Sequence, residues 1–273
     1  MPNRLLRSRL RDLLGGLMMS CLLLGCAYLR KPTGPIPVKE IPAPQQSSRE
    51  MVQRPLIIVL PGRSDDLDDL AASGIAAAVQ QSWPQADVLL AGATPDYYLD
   101  GDIAQRLHAD LIRPARQRGY REIWLASASM GGMGALLYER VYPHDVAGLV
   151  LMAPFMGKPS LVREVAEAGG PAAWDPGPQS AQLDPDNYQR ELWRVVKGWG
   201  GNPAEAGRIW LICGRDDRFM DAAKLMAPLL PPGHFIEPPG GHDWPIWDAG
   251  AAQAFAYIAA AAGSTAPAPS SLP

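Results

Sequence analysis

One serine stands where a buried strand would run into a helix, and this junction constrains the chain more than any other feature. The apolar run Ile123–Ser127 leads into a helix-forming stretch through Tyr142, with Ser129 at the junction. At so sharp a turn the backbone crosses itself two residues before and two after the centre, so only small side chains fit there. Ser127 and Gly131 occupy those positions. The stretch therefore predicts a serine presented on a tight strand-to-helix turn.

Two other Gly-rich turns fit these residues less well. A dinucleotide-binding fingerprint would continue Gly132-x-Gly134 with Gly or Ala where the chain has Leu137. A P-loop would place Lys and then Ser or Thr after the glycines, and neither follows. A plain crossover turn in a parallel sheet is the remaining alternative for the five-residue pattern taken alone.

Apolar runs and helix-forming stretches alternate over residues 55–262. The predicted strands are Leu56–Leu60, Val88–Leu90, Ile123–Ser127, Gly148–Ala153, Ile209–Cys213 and His234–Glu237. Helices are predicted from Asp65 or Asp66 to Trp83, from Asp102 to Arg118, from the Ser129 turn to Tyr142, and from Asp243 to Ala262. Continuous apolar runs indicate strands buried on both faces of a parallel sheet. The predicted class is α/β, with a mostly parallel sheet flanked by helices.

Residues 155–207 interrupt this alternation. Roughly fifty residues separate two predicted strands, where one helix would need about fifteen. Trp174, Trp193 and Trp199 lie in this segment and predict an apolar pocket wall. We interpret the segment as a cap insertion over an active site, with a surface excursion of no function as the alternative.

An acid and a base follow two later strands. Asp216 and Asp217 come after the fifth predicted strand, and His242 comes after the sixth, behind two glycines. A nucleophilic serine needs a general base, and that base needs a carboxylate to orient it. The carboxyl ends of parallel strands meet in one crevice, so these groups can converge on Ser129. The order serine, acid, histidine and the small-x-Ser-x-Gly turn resemble the α/β-hydrolase family.

The resemblance covers residues 55–262 and implies the α/β-hydrolase fold. It implies Ser129 as nucleophile, His242 as base and Asp217 as acid, because the family's acid lies three residues after a glycine such as Gly214. Geometry agrees, since Asp217 lies on the far side of the turn, while Asp216 stays the alternative.

The same resemblance implies an oxyanion hole built from backbone N–H groups. One belongs to Met130, directly after the nucleophile, and the other to Arg63 in the loop after the first predicted strand. The resemblance implies no cofactor. The four histidines are scattered along the chain, so no metal site is predicted.

The implied activity is that of a serine hydrolase. The expected substrate is a small-molecule or lipid-like carboxylic ester with an apolar acyl or aryl part, cleaved through an acyl-enzyme. The alternatives are a thioesterase, amidase or peptidase of the same fold, because one fold hosts many substrates. A catalytically silent, membrane-anchored binding module is the alternative from another class.

The N-terminus has the features of a secretion signal. Four arginines precede the apolar stretch Leu13–Leu24, which is too short for a bilayer-spanning helix of about 20 residues. Leu23-Leu24-Gly25-Cys26 resembles the lipobox of bacterial lipoproteins, which implies removal of residues 1–25 and acylation of Cys26. Ala27 supplies no acidic retention signal, so the outer membrane of a Gram-negative envelope is favoured. An ordinary signal peptide and a retained anchor are the alternatives.

The sequence also makes predictions about the segments on either side of the folded domain and about the charge of the mature chain. Residues 26–54 are Pro-rich and predict a tether, and residues 263–273 predict a disordered tail. Residues 1–25 hold four Arg and one Asp, so their removal takes the formal net charge from −3 to −6, which predicts no binding to nucleic acid. Only Cys213 is left as a free thiol, so no internal disulfide is predicted. The oligomeric state is not specified by the sequence.

Overall fold

The computed structural model describes residues 34–44 and 54–264, and the predicted signal peptide, Cys26 and residues 265–273 lie outside these ranges. The strands are β1 (Val38–Ile41), β2 (Leu56–Leu60), β3 (Asp87–Ala91), β4 (Ile123–Ala128), β5 (Gly148–Met152), β6 (Ile209–Ile212) and β7 (Phe235–Ile236). The α-helices are α1 (Leu67–Ala72), α2 (Ile75–Ser82), α3 (Ile103–Leu107), α4 (Arg113–Gln117), α5 (Met130–Val141), α6 (Pro159–Glu167), α7 (Tyr188–Trp199), α8 (Pro203–Ala206), α9 (Met220–Met226) and α10 (Trp244–Ser264). Short 3₁₀ turns cover Pro95–Tyr98 and Ala227–Leu229, and a π-helical turn, His108–Ile112, joins α3 to α4. Within the described ranges, no helix has both the length and the apolar character needed to cross a bilayer.

The strands form one twisted layer in the order β1-β3-β2-β4-β5-β6-β7. Among the strands of the described residues, only β1 is antiparallel to its neighbour, and all other adjacent pairs are parallel. Strands β2 to β6 are buried along their whole length, as their continuous apolar runs predict. Helices α2 and α10 pack on one another, and α5 packs on α3 and α7. The predicted α/β class with a mostly parallel sheet and flanking helices is confirmed.

Strand β1 corrects the predicted tether. Residues 38–41 lie inside the predicted tether, yet they pair with β3 at the edge of the sheet. Ile36 and Ala43, on either side of the strand, are buried, and the Ala43 N–H donates to Asp87 Oδ1 at 2.8 Å. An edge strand needs backbone hydrogen bonds on one side only, so the flanking Pro37 and Pro42 are tolerated. The folded domain therefore begins before Pro55, the start predicted from sequence.

The helix predicted up to Trp83 is broken in two. Asp66 caps α1 as its Oδ1 accepts hydrogen bonds from the N–H groups of Asp68 and Asp69 at 2.9 and 3.0 Å. The break between α1 and α2 falls at Gly74, whose φ of 97° is left-handed. A Cβ there would lie 2.8 Å from Asp248 Oδ2, so the α10 carboxylate leaves no room for a side chain. At the other end, α10 runs two residues past the predicted Ala262, into the predicted tail.

Asp248 gives the fold a pH dependence that the sequence does not reveal. Desolvation by burial raises the pKa of its carboxyl to about 7, and its Oδ1 has no hydrogen-bond partner in the described residues. The folded pKa lies above the unfolded one, so the folded chain binds more protons between about pH 4 and 7. The contribution of Asp248 to stability is therefore fully present below about pH 4 and is lost as the pH rises through about 7.

Asp248→Asn should remove this dependence, because the amide has the shape of the protonated acid and cannot ionise. Discounting the shift for the partial exposure of Asp248 leaves about 2 kcal/mol, so we expect the variant to melt roughly 4–8 °C higher at pH 8. The difference should close near pH 4. Thermal unfolding followed by circular dichroism at both pH values measures it. An unchanged melting temperature at pH 8 would show that the folded chain tolerates the charged carboxylate.

Candidate active site

Ser129 lies on a strained turn between β4 and α5. Its φ and ψ are 51° and −110°, a conformation that non-glycine residues rarely adopt and that costs about 1–3 kcal/mol. Two backbone hydrogen bonds hold it there: the Ser129 N–H donates to Met152 O, and the Phe155 N–H donates to Ser129 O, both at 2.8 Å. The end of β5 and the chain after it therefore fix the serine at the carboxyl edge of the sheet.

The residues two positions before and after Ser129 show why this turn requires small side chains. A Cβ on Gly131 would lie 2.6 Å from Pro61 O and 2.8 Å from Leu60 O, closer than any real contact. The Gly131 N–H also donates to Pro61 O at 3.1 Å, which ties the turn to the end of β2. Ser127 is fully buried, and its Oγ has no partner among the described residues. Ser127 therefore serves the turn by its size and not by its hydroxyl.

The structure brings Ser129, His242 and Asp217 into one hydrogen-bonded chain. His242 Nε2 lies 3.0 Å from Ser129 Oγ. On the other side of the ring, His242 Nδ1 lies 2.8 and 2.9 Å from the two carboxylate oxygens of Asp217. The Asp217 side chain is fully buried, whereas that of His242 is 13% exposed. This is the arrangement that a serine nucleophile, its base and the orienting acid require.

Asp216 and Asp217 differ in burial and in contacts. Asp216 is exposed, and its carboxylate makes no hydrogen bond or ion pair within the described residues, while its N–H donates to Gly240 O at 2.9 Å. The glycines let the two loops touch through backbone alone, since a Cβ on Gly214 would lie 2.4 Å from Gly240 O. This close approach aims Asp217, and not its neighbour, at His242.

Two aromatic rings hold the imidazole of His242, and the sequence analysis did not single them out. Phe219 and Trp247 both meet it edge to face, at centroid distances of 5.0 and 4.7 Å. Such contacts fix the plane of the ring and shield its hydrogen bonds from water. The only signal in the sequence is position, because Phe219 follows Asp217 by two residues and Trp247 lies in the first turn of the helix after His242.

Asp65 connects the loop after β2 to the helix after His242. Its Oδ2 accepts hydrogen bonds from the Gly62 N–H and from Trp244 Nε1, each at 3.2 Å. Trp244 in turn packs on Trp247, at a centroid distance of 5.2 Å. Asp65 was considered from sequence only as a helix cap, a position that Asp66 occupies. Its observed contacts instead position the loop that carries Arg63.

The two predicted oxyanion donors lie in loops that adjoin Ser129. A Cβ on Gly62 would lie 3.7 Å from Ser129 Cβ, which places the Arg63 loop beside the serine. Met130 is the first residue of α5, where the N–H groups have no partner within the helix. In the part of the chain that the structure describes, neither the Arg63 N–H nor the Met130 N–H has a protein acceptor. Both donors are therefore available to a ligand.

Two pockets meet at this site. The triad pocket, about 300 Å³, is lined by Gly62, Arg63, Ser129, Arg218, His242 and Trp244 among others. The apolar pocket, about 480 Å³, is lined by Phe155, Pro159, Val162, Ala166, Phe219 and Leu225, and it shares Arg218 with the triad pocket. Residues from the insertion thus form one wall of the apolar pocket.

The three tryptophans of the insertion line neither of these pockets, so the prediction that they form the pocket wall is wrong. They are buried within the insertion and against α5, where two of the indole N–H groups find acceptors. Trp193 Nε1 donates to Met156 O, and Trp174 Nε1 donates to Glu164 Oε1, both at 2.9 Å. A buried indole needs such a partner, which an apolar pocket wall does not supply.

Other reactive side chains have structural explanations. Glu139, His144 and Glu205 converge as metal ligands could. However, Arg208 Nη1 donates to Glu139 Oε1 at 2.9 Å and to Glu205 Oε2 at 3.1 Å, so the carboxylates already face a guanidinium. Burial raises the pKa of the Cys213 thiol to about 12, which removes it as a competing nucleophile.

Comparisons with known proteins establish the fold. No protein-family model matches the chain, and no curated protein matches it. Among solved structures, a ferulic acid esterase aligns with a TM-score of 0.57 at 18% identity over 82% of this chain and 91% of that one. Est1E from Butyrivibrio proteoclasticus gives 0.56 at 15% identity over 84% and 94%. A monoacylglycerol lipase from Paleococcus ferrophilus gives 0.52 at 14% identity over 84% and 100%. The chain therefore has the α/β-hydrolase fold.

Proposed function

We propose that the protein is a serine hydrolase that cleaves carboxylic esters with an apolar acyl or aryl part. The single observation that carries this proposal is the contact chain from Ser129 Oγ through His242 to the buried Asp217 carboxylate. A binding module of the same fold has no use for a strained serine, an aligned base and a buried acid together. We therefore favour an enzyme over the silent module.

The residues act in two half-reactions. His242 Nε2 takes the proton of Ser129 Oγ, which attacks the ester carbonyl carbon, and Asp217 stabilises the resulting imidazolium. The developing oxyanion accepts hydrogen bonds from the Met130 and Arg63 N–H groups. As the tetrahedral intermediate collapses, the C–O bond to the alcohol breaks, and His242 protonates the leaving alcohol. His242 then takes a proton from water, which attacks the acyl carbon. As this second tetrahedral intermediate collapses, the bond from that carbon to Ser129 Oγ breaks, His242 returns the proton to Oγ, and the carboxylic acid leaves.

The apolar pocket supports the choice of substrate class. Its aromatic and aliphatic lining, with Phe155 and Leu225, suits a hydrocarbon or aryl group, and it shares Arg218 with the triad pocket that holds Ser129. The structurally similar proteins include an esterase named for ferulic acid and a lipase named for monoacylglycerols, so the same fold supports such chemistry elsewhere. Thioesters, amides and peptides remain the alternative substrates, because the same residues can attack any of these carbonyl groups.

Labelling with a fluorophosphonate tests the proposed enzyme directly. The purified protein should react at Ser129, as shown by mass spectrometry of the labelled peptide, and no labelling would favour the silent module. A panel of one acyl chain presented as a 4-nitrophenyl ester, a thioester and a 4-nitroanilide then ranks the substrate classes by kcat/KM. The ester should rank first; a faster thioester or anilide would replace the proposed class.

We also propose that Cys26 carries acyl chains that hold the enzyme at the cell envelope, with the outer membrane favoured. The lipobox resemblance of Leu23-Leu24-Gly25-Cys26 supports this, since two or more chains give stable anchoring. Cys26→Ser should therefore move the protein out of the membrane fraction or leave it as an uncleaved precursor. Metabolic labelling with palmitate, followed by fractionation, measures both outcomes. Label that persists in the variant would refute the assignment.

A further inference from the structure

The apolar pocket has a cationic rim. Arg163, Arg218 and Lys224 all line it and all are exposed, whereas Asp221 is its one acidic lining residue. In the described part of the chain, none of the three cations makes an ion pair or a hydrogen bond with another residue. The guanidinium of Arg218 lies over the ring of Phe219, 5.1 Å from its centroid, and so keeps its N–H groups free. The pocket therefore offers apolar walls and an excess of two positive charges.

The other two arginines of the insertion, Arg190 and Arg194, are paired, and so is Arg140 on α5. Arg140 and Arg194 both contact the buried Glu191, at 2.7 and 3.1 Å. Arg190 pairs with Glu164 at 2.9 Å. The whole chain has a formal net charge of −3, so the positive charge of these unpaired cations is opposite in sign to the net charge of the protein. Three cations without an ion pair in the described residues thus line one pocket.

The position of the rim relative to Ser129 is set by two phenylalanines. Phe219 lines the apolar pocket and also packs on His242 at 5.0 Å. Phe155 packs on Phe219 at 5.8 Å, and its N–H donates to Ser129 O. An ester bound with its carbonyl at Ser129 can therefore lay one arm along these rings, with the far end of that arm near the cations.

We infer that the arm of the substrate that fills the apolar pocket ends in an anionic group, such as a carboxylate or a phosphate. This inference rests on the proposed ester hydrolase and narrows its substrate to amphipathic, negatively charged esters. An anionic membrane surface is the competing explanation for basic residues. The cations line a concave pocket, however, and the large exposed apolar side chains of the described residues, Val38, Leu99 and Tyr257, do not line it.

Paired substrates test the inference. One pair is the 4-nitrophenyl monoester of suberic acid and the same ester with the distal carboxylate replaced by its neutral primary amide. The second pair is 8-acetoxyoctanoate and 8-acetoxyoctanamide, which place the charge on the alcohol arm. We expect kcat/KM to favour the anionic member of at least one pair about tenfold at low salt, because several exposed ion pairs, each weak alone, would act together on the added charge. The preference should shrink towards unity in 1 M salt, where the Debye length is about 3 Å.

Variants assign the preference to the rim. The double variant Arg163→Gln/Lys224→Gln should lose most of this preference. The preference is the ratio of kcat/KM for the anionic and the neutral substrate of one variant, so a change that affects both substrates alike cancels. Arg113→Gln is the matched control, since Arg113 is exposed on α4 and lines neither pocket. A preference that survives the double variant, or equal turnover of both members in both pairs, overturns the inference. So does a double variant whose only defect is weaker binding to phosphatidylglycerol vesicles, because the rim would then serve a membrane surface.

The same assay separates this inference from the proposed function. Suppose that the neutral, amide-ended esters are turned over in a Ser129-dependent way and that the anionic esters are not preferred. The proposed hydrolase would then be supported, and only the inference of an anionic arm would be wrong. The absence of Ser129-dependent turnover of every ester would overturn both.

Discussion

Alanine in place of Ser129 is expected to lower ester turnover roughly 10⁴- to 10⁶-fold while the fold stays intact. The Oγ lost in this variant is the atom 3.0 Å from His242 Nε2. The Cys213 thiol is buried with a raised pKa, so it cannot take over as the nucleophile. The alanine Cβ takes the place of the serine Cβ, so the turn itself should not change. Turnover of the preferred 4-nitrophenyl ester and the far-UV circular dichroism spectrum measure the two parts of the expectation.

Ser127→Ala is the matched control for that variant. It removes the same atom two residues upstream, from a side chain that is fully buried and whose Oγ has no partner. We expect activity within about twofold of the unchanged protein and equal or slightly higher stability, since a buried hydroxyl without a partner is costly. Full activity in a folded Ser129→Ala variant, or an equal loss in both variants, would contradict the role given to Ser129.

The strands that place the site could be predicted because they are buried on both faces. A strand such as β2 or β5 has no solvent-facing positions, so its apolar run is continuous and its ends are visible within about one residue. Strand β3 was predicted one residue short at each end, because it begins with Asp87. That carboxylate is buried and accepts hydrogen bonds from Tyr120 and the Ala43 N–H. Partners so distant in sequence leave no local signal of burial.

The three residues of the contact chain could be chosen from sequence for a topological reason. Each follows the carboxyl end of a parallel strand, and Gly131 and Gly214 mark the two places where backbone must approach backbone. The aromatic contacts of His242 could not be chosen in this way, and neither could the hydrogen bond from Trp244 to Asp65, which joins residues 179 positions apart. Such contacts depend on how the completed sheet brings loops together, and no periodicity encodes them.

Asp217→Asn is expected to lower kcat about 10⁴-fold, the size of the effect of the corresponding change in a serine-protease triad. The carboxylate accepts a hydrogen bond from His242 Nδ1–H, which keeps the proton on Nδ1 and leaves Nε2 free to take the proton of Ser129 Oγ. An amide N–H₂ at the same place donates to Nδ1 instead. The proton then moves to Nε2, and the ring becomes the wrong tautomer for a general base. The neutral amide also fails to stabilise the imidazolium, and KM should change far less than kcat.

Asp216→Asn is the control with the same chemistry one residue away, and it should cost at most a few-fold. Asp216 is exposed, and its carboxylate has no partner in the described residues, whereas Asp217 is buried and also accepts the Phe219 N–H at 2.8 Å. That extra hydrogen bond fixes the Asp217 carboxylate before substrate arrives. Loss of the carboxylate therefore affects the orientation of the His242 ring as well as the charge beside it.

The pH dependence of kcat/KM distinguishes the loss of the orienting acid from general damage to the fold. Only Asp217→Asn should change the shape of the pH profile, and a variant that was merely misfolded would lower activity equally at every pH. If Asp216→Asn is the inactive variant, the acid has been placed one residue too late in this loop.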